Sequence, residues 1–228
     1  MPEVIRTDRF VMDAVGLIVE AAELALRERD VFRIALSGGN TPRPVYAELS
    51  RCNLPWNSVS FTFGDERCVA PDDAQSNYGM ARQALFEPAK VPPESVLRMR
   101  GEILPKAAAA EYDESLGERA TKAGEPIYRH DLILLGMGDD GHTASLFPGT
   151  AALTETERNV AANHVPKFDS WRITFTYRLI NAARHVCFLV SASKHADLIE
   201  RVLAGEDQFP AARVAPTEGK VTWIIGTE

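Results

Sequence analysis

The sequence predicts a three-layer α/β fold, a largely parallel, twisted sheet with helices on both faces. Three observations predict it. Short apolar runs of strand length alternate with stretches of helical period along the chain. Stretches of that length are what parallel strands need as crossovers, and the apolar runs suit strands buried on both faces. Finally, the 228 residues are 45% apolar and 25% charged, the balance of a globular protein with enough material for a packed core. No Gly/Ser-rich linker, fixed-period repeat or charge block divides the chain, so residues 1–228 are expected to form one domain.

Thr7 and Asp8 are good N-caps, and Val11, Val15, Ile18, Ala22 and Ala25 follow at steps of three and four, the buried face of a helix. Residues 31–36 (VFRIAL) read as a buried strand, stopped by Ser37-Gly38-Gly39-Asn40-Thr41-Pro42. Pro42 suits the first turn of a helix carrying Val45, Tyr46 and Leu49 inward. A strand over 59–63 ends at Gly64-Asp65-Glu66-Arg67, and Ser76 caps a helix through Leu85 and Phe86. The alanine-rich stretch 106–123 is helical by propensity. Residues 131–135 (DLILL) form the most apolar strand, running into Gly136-Met137-Gly138-Asp139-Asp140-Gly141-His142. Strands are expected at 172–176, 185–190 and 221–225, with a helix over 194–204, closed by Gly205, between the last two.

With 25 Lys and Arg against 32 Asp and Glu, the formal charge is −7, which argues against a broad basic surface for nucleic acid or anionic lipid. An anionic small molecule remains compatible, provided a few basic residues converge. Cys52, Cys68 and Cys187 are odd in number, far apart and without a C-x-x-C pair, so neither a zinc site nor a disulfide framework is expected. The chain start lacks the apolar stretch of a signal peptide, and no run approaches the ~20 apolar residues of a membrane span. A reduced, cytoplasmic setting without a membrane partner is the expectation.

In open α/β sheets ligands bind beyond the carboxyl ends of the strands. Three strand ends here carry unusual loops: 37–41, 64–67 and 136–142. The first opens a helix and has two glycines that let backbone N–H groups approach a phosphate; the same composition also makes a plain turn. The third matches G-x-G-x-x-G, but Asp139 and Asp140 set carboxylates where a pyrophosphate needs bare amides, which argues against a dinucleotide. Read for chemistry, it offers an imidazole, His142, able to accept a proton near neutral pH, and a carboxylate, Asp140, two residues away. Direct contact between them needs a loop bent at Gly141. Asp65-Glu66-Arg67 adds acids and a guanidinium at the neighbouring strand end, a triplet that is more often a solvated cluster.

These loops, together with Ser76-Asn77-Tyr78-Gly79, Thr143-Ala144-Ser145-Leu146-Phe147-Pro148, Arg172-Ile173-Thr174, Asn181-Ala182-Ala183-Arg184 and the region around Lys194, run over nearly the whole chain. In that order they resemble the 6-phosphogluconolactonase family, within the wider group that includes glucosamine-6-phosphate deaminases. The resemblance implies that group's Rossmann-like sandwich, and hydrolysis of 6-phospho-D-glucono-1,5-lactone to 6-phosphogluconate in the pentose phosphate pathway. It implies no metal or organic cofactor. His142 matches the general base, with Asp140 beside it and Arg67 nearby as a catalytic residue. Gly38, Gly39, Asn40, Thr41, Arg172 and Lys194 match substrate-binding positions, chiefly for the phosphate, and Asp65 lines the sugar end with Arg67. The implied partner is the phosphosugar lactone alone, bound by a monomer or weak homo-oligomer.

Two positions argue against the deaminase branch. Deaminases typically carry tyrosine at Arg67, and a glutamate at Phe147 that completes an Asp-His-Glu relay. The chain also departs from the lactonase pattern, with Gly226-Thr227-Glu228 after the tryptophan strand where many lactonases have an aspartate, and Cys68 at a position often aromatic. Two further readings compete. A serine hydrolase using Ser37, Ser145 or Ser193 lacks the G-x-S-x-G elbow, and a phosphosugar sensor lacks a basic face to deliver an output.

Overall fold

The computed structural model describes residues 2–227, apart from the side chains of Lys194 and His195. Alternation within the apolar strands decides the layering. In β2 (Phe32–Leu36), β3 (Val59–Phe63), β5 (Leu132–Leu135), β8 (His185–Ser191) and β9 (Lys220–Gly226), successive side chains enter opposite layers. Ile34, Leu36, Phe61, Phe63, Leu132, Leu134, Cys187, Leu189 and Ile224 pack on one face. Ala35, Ile133, Leu135, Val186, Phe188, Val190, Trp223 and Ile225 pack on the other. With β1 (Glu3–Thr7) these strands form a six-stranded sheet, ordered β1-β9-β8-β5-β2-β3, in which every pairing is parallel.

Helix α1 (Phe10–Arg29) buries Ala14, Val15, Ile18, Ala22 and Ala25 against the first face, and α2 (Arg43–Leu49) adds Val45, Tyr46 and Leu49. Thr7 and Asp8 do not cap α1, which begins after Arg9. The Thr7 hydroxyl instead accepts from the Arg9 N–H and donates to Asp13. Ser76 does cap α3 (Asn77–Ala81), accepting from the Gly79 N–H, and a wider helical turn continues over Arg82–Phe86. On the second face, α4 (Pro105–Lys122) buries Ala108, Ala109, Tyr112, Leu116 and Ala120. Past the short α5 (Tyr177–Ile180), α6 (Ala192–Leu203) follows β8 directly and buries Ile199 and Val202 on the same side.

The run 172–176 does not join the main sheet. It lies in β7 (Ser170–Phe175), the centre of an antiparallel sheet with β4 (Asp65–Arg67) and β6 (Val160–Val165). Gly64 is the branch point: its N–H donates to Leu36 O in the main sheet, while its carbonyl accepts from Phe175 N in the small one. Residues 65–67 therefore leave the parallel sheet and enter a second layer packed against α4. After β2 the chain steps to β3 on one side, then returns to place β5, β8 and β9 on the other. The loops after β2 and β5 thus diverge, opening a crevice at their carboxyl ends, where such sheets bind ligands. No described helix is long and apolar enough to cross a membrane.

Candidate active site

The crevice is a cleft of about 220 Å³ beyond β2, β3, β5 and β8. Ser37, Gly38, Gly39 and Thr41 come from the first loop, Asp65 and Arg67 from β4, Gly136 to Gly138, His142 and Ala144 from the loop after β5, and Leu189 to Ser191 from the end of β8.

The loop after β5 closes on itself. Gly138 N–H donates to His142 O at 3.0 Å, Gly141 N–H to Gly138 O at 3.0 Å, and the Thr143 hydroxyl to Gly136 O at 2.8 Å. Gly141 makes the bend at φ +75°, a left-handed conformation that a side chain disfavours. That bend brings Asp140 Oδ1 to 2.5 Å from His142 Nδ1 and 3.2 Å from the His142 N–H. Nδ1 therefore carries the proton donated to the carboxylate, leaving Nε2 as the nitrogen able to accept one. Gly138 is a second necessity, because a Cβ there would overlap the imidazole. Phe147 stacks on the ring with centroids 3.8 Å apart. Burial alone would raise the Asp140 carboxyl, but the hydrogen bonds and charge of His142, with the hydrogen bond from Lys167, outweigh it and hold it below the usual range.

Asp65 and Glu66 are not a solvated cluster; both are buried. The Asp65 carboxylate accepts from Ser145 Oγ at 2.6 Å and Asn77 Nδ2 at 3.0 Å, which fixes it at the cleft wall. Glu66 accepts from the N–H groups of Arg67, Asn77 and Tyr78, each at 2.8 Å, and so ties β4 to the start of α3. Its carboxyl is pushed up by burial, against those three hydrogen bonds.

Arg67 and Arg172 face each other in register across β4 and β7. Arg67 donates to Gln75 O at 2.7 Å and its buried Nε has no hydrogen-bond partner among the described residues, while Arg172 donates to Ser170 Oγ and Trp171 O and lies over the Phe168 ring. Among the described residues neither guanidinium has a carboxylate partner. Burial lowers Arg172 from its ordinary value, and the Arg67 charge lowers it further. The Asp65 and Glu66 carboxylates act on Arg172 in the opposite direction without touching it, and two adjacent guanidinium groups free of direct ion pairs beside a cleft suit an anion.

Residues 6–223 match the family described as glucosamine-6-phosphate isomerases/6-phosphogluconolactonase. The chain belongs to that family. It is 36% identical over 215 residues to 6-phosphogluconolactonase of Nostoc sp., covering 93% of this chain and 89% of the relative. To 6-phosphogluconolactonase of Synechocystis sp. it is 40% identical over 205 residues, covering 88% and 84%. The solved 6-phosphogluconolactonase of Thermotoga maritima superposes with a TM-score of 0.86 at 29% identity, over 100% of both chains. That of Trypanosoma brucei does so with 0.83 at 28%, over 99% of this chain and 96% of its own.

Within this lactonase/isomerase frame, the cleft gathers Gly38, Gly39, Thr41, Asp65, Arg67 and His142 from the residues singled out in the sequence. Asp140 stands behind His142 rather than in the cleft wall. Asn40 lines an adjoining hollow with Thr7, Asp8 and Phe10, and Arg172 is the neighbour of Arg67 on the next strand, outside the cleft lining. Lys194 falls in α6, its side chain outside the described residues. Sequence reasoning missed Met137, Ala144 and Val190, apolar lining with no chemical signature. It named Ser37 as part of the first loop and as a possible nucleophile, but gave its hydroxyl no binding role; that hydroxyl is buried at the cleft with no partner among the described residues. Ser145, another serine candidate, is committed to Asp65. Asp139, Asp140 and His142 bring ligand-type atoms within 4.8 Å of one another, but the Lys167 ammonium already bridges the two carboxylates at 3.0 and 3.1 Å. Lys167 carried no signal in the sequence, being 25 residues beyond the loop it contacts.

Proposed function

We infer that the protein hydrolyses 6-phospho-D-glucono-1,5-lactone to 6-phosphogluconate, with His142 as general base. The observation that carries this reading is the imidazole clamped at Nδ1 by Asp140 in the cleft wall, beside two guanidinium groups that form no direct ion pair among the described residues. A lactone carbonyl is an activated ester, so a positioned water, a base and a stabilised oxyanion suffice. His142 Nε2 takes a proton as water oxygen bonds to C1, and Asp140 stabilises the imidazolium. The electron pair of the C1 carbonyl becomes the oxyanion, steadied by Arg67 or the Gly38 and Gly39 amides. When the carbonyl reforms, the C1–ring-oxygen bond breaks, and the imidazolium returns its proton to the leaving oxygen. Base assistance of this kind contributes ~10²–10⁴-fold.

Arg172, Thr41 and Lys194 belong in this reading to the phosphate end, and Asp65 to the sugar hydroxyls. The reaction runs in the cytosol, where Cys52, Cys68 and Cys187 stay as the unpaired thiols seen here. Phe147 disfavours the deaminase alternative, because the ring stacked on His142 cannot relay a proton.

The test is proton release from freshly generated lactone, set beside the spontaneous rate and the His142→Ala protein. Glucosamine-6-phosphate, with ammonia as readout, is the control. Acceleration that falls ~10²-fold or more in the variant, without ammonia, is expected. Near-normal turnover by His142→Ala rejects it as the base, and no acceleration by the unaltered protein rejects the reaction.

A further inference from the structure

The hairpin joining β6 to β7 turns over Pro166–Phe168, with Asp169 at φ 42°. Its tip reaches the loop after β5 at two points. The Lys167 ammonium lies 3.0 Å from Asp139 Oδ1 and 3.1 Å from Asp140 Oδ2, so the two oxygens of Asp140 are divided between Lys167 and His142. Phe168 sets its ring edge-on to Phe147 at 5.7 Å, and Phe147 stacks on His142. Groups carried by one hairpin therefore brace the imidazole through both its carboxylate and its stacked face.

We propose that Lys167 is a positioning residue for the hydrolysis, holding His142 in its working orientation through Asp140. An aspartate carboxylate turns easily about its last torsion, which has only a broad, two-fold preference. Both hydrogen bonds from His142 fall on Oδ1, so the other oxygen is held only by Lys167; a partner there restrains the torsion, and with it the swing of the imidazole. The ammonium also offsets two neighbouring carboxylates, which would otherwise repel each other and an arriving anion. Stability is a poor explanation for the contact, because Lys167 and Asp139 are exposed and such pairs contribute little. The proposal rests on His142 being the base.

The experiment is a cycle of Lys167→Met and Asp140→Asn, singly and together, with Lys167→Arg, measured by lactone hydrolysis. Lys167→Met is expected to lower kcat roughly tenfold, as small misplacements of a reacting group do, with KM and melting temperature nearly unchanged. Lys167→Arg restores most of the loss, and in the Asp140→Asn background Lys167→Met adds nothing. Unchanged kcat, equal losses in both backgrounds, or a loss confined to KM overturns the proposal, the last marking Lys167 as a substrate contact instead. A second readout needs no turnover: the downfield Nδ1 proton resonance of His142 should sharpen with Lys167 or Arg present and broaden with Met. An unchanged signal in Lys167→Met also overturns the proposal. If His142→Ala retains turnover while that signal responds as stated, the base assignment has failed and the bracing contact has not.

Discussion

The two ends of β5 carry the same kinds of side chain in opposite electrostatic states. At its amino end, the buried Asp131 accepts from Arg29 Nε at 3.0 Å and the Arg33 N–H at 2.8 Å, and pairs with Arg184 Nε at 3.2 Å. Arg33 and Arg184 also pair with Glu125, and Arg129 with Glu218. At its carboxyl end, Arg67, Arg172 and Asp65 form no direct ion pair among the described residues, and Asp65 acts on Arg172 only through space. The histidines divide in the same way. His130 is fully buried against Tyr128 and Phe175, donating from Nε2 to Thr62, whose own hydroxyl donates to Ile34 O. His142 lines the cleft, and among the described residues its Nε2 has no hydrogen-bond partner. Charges at one end answer one another in ion pairs; at the other, Arg67, Arg172 and Asp65 form none among the described residues.

The sharpest way to break this contrast is Gly138→Ala. The new methyl displaces the imidazole, and an error of about 1 Å in a reacting group costs ~10²-fold. Steady-state kinetics is expected to show that loss in kcat, with a melting temperature close to that of the unaltered protein. An unchanged kcat would mean that the ring position does not matter.

Asp131→Asn attacks the other end. Arg29 and Arg184 then lose the carboxylate they share, at a cost of about 2 kcal/mol in denaturant unfolding, while kcat holds. A fall in kcat without a stability change would erase the division between the two ends.

At neutral pH the smallest effect is that of His130, which shows only as a slope on acidification. Burial, with Arg33 nearby, lowers His130 to about 3, so it is neutral in the fold while the unfolded chain takes up its proton near pH 6.5. Its contribution is complete above pH 6.5 and is lost as pH falls from there towards 3, at up to about 1.4 kcal/mol per pH unit. His130→Gln, which keeps a donor for Thr62, is expected to flatten the stability curve between pH 6 and 4 by that amount. An unaltered slope would show that His130 does not titrate on unfolding.

The elements legible in the sequence are those whose burial imposes a period. The five apolar strands of the main sheet were legible as short apolar runs, the long α1 from the spacing of Val, Ile and Ala, and α4 from its alanine-rich propensity. β1 is a half-exposed edge, β4 is three charged residues, and β6 (VAANHV) is small and polar, so none has a pattern that propensity reads. Run 172–176 was legible as a strand but not as a member of a second sheet, because pairing partners are chosen across the chain. The site divided in the same manner. His142, Asp140, Arg67 and the Gly38-Gly39 turn were visible as loop chemistry at strand ends. Their direct contacts were not, nor were Lys167 and the orphaned Ser37 hydroxyl.

Local order in this protein is thus a property of its sequence: periodicity sets which faces are apolar, and glycine sets where the backbone bends back. What only the tertiary structure decided is which charges meet. Asp140 reaches His142 because Gly141 turns the loop, yet Lys167 reaches Asp140 because the small sheet folds its hairpin over that loop. Arg67 and Arg172 become neighbours because β4 leaves the main sheet at Gly64. Electrostatic interaction depends on distance through space, and distance along the chain says almost nothing about it.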